Sequence, residues 1–152
     1  LKNSHKINIS LTIVGKGPLE PLLLDIARKQ DILNQFKIIP IVPFHQLNNI
    51  YSQHDIFVMS SVREAMGATI LEAMACALPV IVTDVGGMPD FIDHGINGFV
   101  VPSDDDKALA DAIAKLGDHA LRNKMAEASL HMVKTKYDWH VLIKKYIEVF
   151  LA

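Results

Sequence analysis

The feature that most constrains this chain is a regular alternation. Five short apolar runs, at residues 9–14, 36–41, 56–59, 79–82 and 98–101, are separated by stretches of helical periodicity. The runs are rich in Val and Ile and nearly continuous, the pattern of strands covered on both faces. Between them Leu22, Leu23, Ile26 and Ala27, then Leu47, Ile50 and Tyr51, then Ile70, Leu71, Met74 and Ala75 recur at helical spacing. Strands that alternate with helices pair in parallel, so the pattern predicts an α/β fold with a parallel sheet and helices on both faces.

The last third reads as helical packing. Ser103-Asp104-Asp105-Asp106 is a helix-start signal, Leu109, Ala112, Ile113 and Leu116 form the buried stripe of the helix it opens, and Gly117 ends it. A second helix carries Leu121, Met125, Ala128 and Met132. A third begins near Asp138, with Trp139, Leu142, Tyr146 and Phe150 expected to face inward. At 152 residues and 50 % hydrophobic content, with no repeat or linker, residues 1–152 are expected to form a single domain.

Several function classes are set aside by composition. A formal charge of -2 offers no broad cationic field, which argues against a nucleic-acid partner. Cys76 is the single cysteine, and its apolar neighbours suggest a small core side chain. A reducing cytoplasm fits best. No apolar run approaches the roughly 20 residues that span a bilayer, and no basic leader precedes an apolar stretch. The seven histidines (His5, His45, His54, His94, His119, His131, His140) lack metal-ligand spacing, so no metal is expected. The chain opens on Leu1 and leads straight into a strand, which points to a longer parent protein.

In open parallel sheets ligands bind beyond the carboxyl ends of the strands, so the loops after each run are where chemistry is sought. After the first run, Gly15-Lys16-Gly17-Pro18 lets backbone approach a ligand, with Pro18 suited to a first helical turn. A dinucleotide fingerprint would need a glycine at position 20, which is Glu20, so a nicotinamide or flavin site is disfavoured. The local alternative is a tight structural turn. After the third run, Glu64, Gly67 and Glu72 surround a helix start whose amides favour anions, and the carboxylates can accept hydrogen bonds from sugar hydroxyls. At helical rise the two acids would stand roughly 10 to 12 Å apart, about the span between the two sugars of a nucleotide-sugar. The competing reading is structural: Thr69-Ile70-Leu71-Glu72 matches a capping box, and Glu64 could be a solvated loop charge. A glycosidase pair fits less well, because its carboxyls lie roughly 5 to 9.5 Å apart. After the fourth run, Gly86-Gly87-Met88-Pro89 offers a turn into a short helix that Gly95 would close, or a turn with no further role.

The string from Glu64-Ala65-Met66-Gly67 through Ile70-Leu71-Glu72-Ala73-Met74-Ala75 to Asp84-Val85-Gly86-Gly87 resembles glycosyltransferase family 4, the group 1 glycosyltransferases of GT-B architecture. The likeness extends upstream through Val14-Gly15-Lys16-Gly17-Pro18 and Asp55-Ile56-Phe57-Val58-Met59-Ser60-Ser61, and downstream through Gly95-Ile96-Asn97-Gly98. It implies the Rossmann-like C-terminal half of a GT-B fold, a partial donor-binding domain without its first strand and without the N-terminal acceptor domain. By resemblance, Glu64 contacts hydroxyls of the transferred sugar and Glu72 the nucleotide ribose, while Met66, Gly67 and Ala68 supply amides for sugar and diphosphate. Thr69 is counted with this donor set. Gly15 and Gly17 would border the same cleft, Ile41 and Val42 lie where the base lodges, and Lys16 and Arg63 are candidate cations.

Three positions depart from the family pattern: Met66 stands where an aromatic is usual, and Ala77 and Pro40 where glycines are usual. The family's Arg-bearing loop and Lys-Gly pair have no match before Ile9. The implied parent is a retaining enzyme that moves a sugar from a UDP- or GDP-linked donor to an unknown glycan or lipid-linked acceptor. It needs no cofactor and no metal, and it sits in the cytoplasm or peripherally on a membrane. The fragment alone is expected to be inactive, with an exposed sheet edge open to self-association. The alternatives are a non-catalytic nucleotide-binding or assembly module and a sugar-nucleotide epimerase of related architecture.

Overall fold

The computed structural model describes residues 9–151. His5 and the expected lack of a family match ahead of Ile9 lie outside them. The chain forms two compact units, one ending at Leu47 and one starting at Asn48. All strand pairs are parallel and helices connect them, as the alternation predicts.

In the first unit β1 (Leu11–Val14) pairs with β2 (Phe36–Ile39), in register from Leu11 with Phe36 to Val14 with Ile39. The connecting helix α1 (Glu20–Lys29) has Glu20 in its first turn and Arg28 and Lys29 in its last, each sign complementing the helix dipole. The proline in its first turn is Pro21, since the helix starts two residues beyond Pro18. β2 stops at Ile39, short of the predicted residue 41, because Pro40 has no amide to continue the ladder. Coverage on both faces was also expected here. Leu11 of β1 and Leu22 and Ile26 of α1 are nevertheless exposed.

Helix α2 (Phe44–Tyr51) leads into the second unit, whose sheet runs in the order β3 (Phe57–Met59), β4 (Val80–Thr83), β5 (Gly98–Val101). The central strand β4 is buried along its whole length. Its side chains alternate with the period of two that a strand imposes. Val80 and Val82 pack with Ile70 and Met74 of α3 (Thr69–Ala75), Met88 and Met132. Ile81 packs on the opposite face with Phe99, Val101, Ala112, Leu116 and Met125. Helices therefore cover both faces. Each fully buried side chain of this set is worth about 1.5–3 kcal/mol of transfer free energy. Gly98 is required where β5 meets β4, because a Cβ there would overlap the Val80 carbonyl.

The C-terminal helices start where aspartates cap them. Asp105 accepts the Ala108 amide at 2.8 Å at the head of α4 (Asp106–Lys115), and Asp118 accepts the Leu121 amide at 3.0 Å at the head of α5 (His119–Met132). Buried Asn97 ties the region together: its Nδ2 donates to the Phe91 carbonyl at 3.0 Å, and Ser129 Oγ donates to the Asn97 carbonyl at 3.0 Å.

Three packing expectations need correction. Trp139, Tyr146 and Phe150 of α6 (Trp139–Leu151) are exposed, Phe150 at 83 %, because the main packing partner of α6 is the π turn Val133–Tyr137 just before it. Cys76 is half-buried and donates to Asn48 Oδ1 at 3.1 Å, because Ile70 and Met74 already occupy the inward stripe of α3 and position 76 falls off it. Gly95 does not close a helix: the turn Met88–Phe91 ends earlier, and Gly95, with φ +83°, lies in the bend before β5. No helix among the described residues is long and apolar enough to cross a membrane.

Candidate functional site

The loop from Ser60 to Ala68, between β3 and α3, carries most of the predicted donor residues. Three contacts from the end of β4 hold it. The buried Thr83 hydroxyl donates to the Ser61 carbonyl at 2.6 Å, anchoring the start of the loop. Further along, the Gly87 amide donates to the Ala65 carbonyl at 2.8 Å. Gly86, at φ +55°, lies so close that a Cβ would overlap the Glu64 carbonyl oxygen. The Gly86-Gly87 pair is thus the seat of the Glu64 loop as well as a turn. Sequence reasoning missed this role, since contact across 22 positions has no local signature.

Glu64 is half-buried, and its Oε1 accepts the amides of Ala65 at 3.0 Å and Met66 at 3.4 Å. The carboxylate is therefore turned back on its own loop. Gly67 follows at φ +76°, buried against Met59 and Ile70, and Ala68 and Thr69 are exposed at the head of α3. Among the described residues the amides of Gly67, Ala68 and Thr69 meet no backbone acceptor, as expected for a helix start. Arg63 and Met66 are exposed in the same loop.

The capping-box reading of Thr69 and Glu72 fails. The residue at the N-cap is Ala68, in helical conformation and with no side-chain cap, so Thr69 is already inside the helix. Its hydroxyl points to the Met59 sulfur at 3.6 Å. Glu72 Oε2 instead accepts the Tyr51 hydroxyl at 2.9 Å. Tyr51 also stacks edge-on against Phe57, ring centroids 5.9 Å apart, so its ring is fixed from β3. Burial first, and the Glu72 carboxylate second, push the Tyr51 phenol far above its ordinary range, so it remains a donor at any neutral pH. The same two causes raise the Cys76 thiol. The sequence-based separation of the two acids does not carry over, because only Thr69–Glu72 of that stretch is helical and residues 64–68 are loop.

The remaining predicted residues belong to the first unit. The Gly15 amide donates to the Ile39 carbonyl at 2.9 Å, extending the β1–β2 pairing by one bond. Lys16 and Gly17 follow, exposed, and with Gly15, Ile13, Leu23 and Ile38 they line a cavity of about 320 Å³ within that unit. Ile41 and Val42 lie in the irregular segment after β2, Ile41 at 77 % exposure. All predicted site residues thus follow the carboxyl end of a parallel strand in their own unit. Among the described residues no group of three or more His, Cys, Asp or Glu is placed to hold a metal ion.

Residues 1–132 match the family model described as glycosyl transferases group 1. This chain belongs to the group 1 glycosyltransferases. The domain is 30 % identical over 144 residues to an uncharacterised glycosyltransferase of Methanocaldococcus jannaschii, a match covering 94 % of this chain and 37 % of that protein. It superposes with a TM-score of 0.80 and 28 % identity on the crystal structure of the C-terminal domain of a group 1 family glycosyl transferase from Francisella tularensis, covering 86 % of this chain and 70 % of that one. A pneumococcal O-GlcNAc transferase, solved in complex with UDP and GlcNAc, gives a TM-score of 0.78 at 27 % identity over 92 % of this chain and 29 % of its own. The chain spans little more than a third of the length of the curated group 1 relatives it matches. Its α/β architecture, parallel sheets flanked by helices, is that of the GT-B C-terminal domains.

Proposed function

We propose that this group 1 glycosyltransferase domain is the donor-binding half of a retaining, family 4 enzyme that moves a sugar from a nucleoside-diphosphate donor. Residues 1–152 supply that half, and an N-terminal acceptor domain completes the cleft. The observation that carries the reading is the arrangement of two glutamates on the β3–α3 segment, each set by a specific contact: Glu64 on a loop seated on Gly86, and Glu72 hydrogen-bonded by Tyr51. Between them lie the amides of Gly67, Ala68 and Thr69 at a helix start, a place suited to phosphate oxygens. The likeness to a transferase solved with UDP and GlcNAc supports a UDP-linked donor, with GDP the other candidate.

In this reading Glu64 orients the transferred sugar and Glu72 holds the ribose. In the second unit, Met66, Gly67, Ala68 and Thr69 cradle the sugar and diphosphate, and Arg63 adds positive charge. In the first unit, Gly15, Lys16, Gly17, Ile41 and Val42 are the donor contacts that the family resemblance implies. Transfer proceeds by electrostatic stabilisation of the departing diphosphate with no covalent glycosyl-protein intermediate and no cofactor. The acceptor is a glycan or a lipid-linked sugar, and the work is done in the cytoplasm or at a membrane surface.

Titration of the chain with UDP and with GDP tests the reading. One of them binds saturably, Glu72→Ala weakens it at least about tenfold with the circular dichroism spectrum unchanged, and Glu64→Ala leaves it within about twofold. UDP-glucose or GDP-mannose, by contrast, loses its extra affinity over the bare nucleotide in Glu64→Ala. An absence of saturable binding by either diphosphate would overturn the proposal.

A further inference from the structure

We infer that Tyr51 is a positioning residue for ribose recognition: its hydroxyl holds the Glu72 carboxylate in the one orientation that leaves the other oxygen, Oε1, for the sugar of the nucleotide. This rests on the reading of Glu72 given above and adds a residue from a different helix to it. Three observations carry the inference. The bond, at 2.9 Å, runs from a neutral phenol to a carboxylate, a charge-assisted pairing stronger than one between neutral partners. The ring is itself fixed, edge-on against Phe57 of β3, so the hydroxyl is presented from a rigid support. Glu72, finally, has no capping role in its own helix, because Ala68 is at the N-cap without a side-chain cap. Nothing in α3 itself would then hold the carboxylate still.

A glutamate has three side-chain torsions, and ordering them when ligand arrives costs conformational entropy. A carboxylate already pinned through Oε2 has met that cost on folding. Tyr51 also limits what Glu72 accepts: with one oxygen occupied, the carboxylate is left to take a ligand hydroxyl mainly through the other.

The test is a ligand-by-variant cycle. Tyr51→Phe removes the hydroxyl and keeps the ring that packs on Phe57. UDP and 2′,3′-dideoxy-UDP, together with GDP and 2′,3′-dideoxy-GDP, are titrated against the wild-type chain, Tyr51→Phe and Glu72→Ala. The expected result is that Tyr51→Phe weakens the ribonucleotide about three- to tenfold and leaves the dideoxy nucleotide unchanged, moving the ratio of the two affinities toward that of Glu72→Ala. Equal weakening of both forms, or of neither, overturns the inference and leaves the donor-site reading standing. If the wild-type chain binds no diphosphate, or binds ribo and dideoxy forms alike, the donor-site reading of Glu72 fails first and this inference with it.

Discussion

A Cβ on Gly86 would overlap the carbonyl oxygen of Glu64, so the turn after β4 and the loop after β3 touch through bare backbone. Gly86 also sits at φ +55°, a conformation that side chains resist. The two constraints act together: one demands the absence of a Cβ for space, the other for torsion.

Gly86→Ala is therefore expected to cost about 2–4 kcal/mol in denaturant unfolding and to displace the Glu64 loop, weakening nucleotide-sugar binding with it. Gly95→Ala is the control. Gly95 has φ +83° but nothing within 4 Å of a Cβ, so only the torsional cost of about 1 kcal/mol should appear, with binding unchanged. Equal losses at the two positions would show that backbone torsion alone matters at Gly86.

The end of α3 offers a gain in place of a loss. Leu78 donates to the Ala73 carbonyl at 3.1 Å and Ala77 to the Met74 carbonyl at 3.0 Å, the two bonds of a Schellman ending, and Ala77 has φ +56°. This is where the family pattern has glycine. Ala77→Gly should raise stability by about 0.5–1 kcal/mol, seen as a higher denaturant midpoint with unchanged slope. An unchanged or lower midpoint would mean that the entropy glycine adds to the unfolded chain outweighs the relief.

Alkaline stability follows from the two half-buried phenols. Tyr51 and Tyr137 both have raised pKa values, each through burial first, then through Glu72 for Tyr51 and through Asp90 and Asp93 for Tyr137. Above the ordinary tyrosine value of 10.0 the unfolded chain has lost these protons while the folded chain keeps them. The unfolded state then binds fewer protons, so stability falls as pH rises past about 10. Below that pH both states are protonated and the difference vanishes. Tyr51→Phe should flatten the decline between about pH 10 and 11.5, measured by urea unfolding, with no change in slope at pH 7.

Much of this architecture is legible in the residues alone. Continuous Val and Ile runs mark β3, β4 and β5, and the aspartates at 105 and 118 mark where helices begin, because strand burial and helix capping depend on neighbours a few positions away. The spacing of Glu64 and Glu72 and the motifs around it are likewise written in sequence order, and the family resemblance rests on them. The contacts that set those acids are not. Tyr51 reaches Glu72 across 21 positions, Thr83 reaches Ser61 across 22, and Gly86 meets Glu64 across the same distance. Local sequence even misled, since Thr69 to Glu72 has the letters of a capping box while the chain turns into the helix one residue earlier, at Ala68. The exposed apolar face of α6 misled in the same way: its periodicity marks a side that can be buried, but burial needs a partner surface. Local patterning determined which segments are strands and helices, because those preferences act over a few residues. Which group holds which acid was decided only in the tertiary structure, where packing on the parallel strands brought Tyr51 beside the helix that carries Glu72 and the turn after β4 beside the loop that carries Glu64.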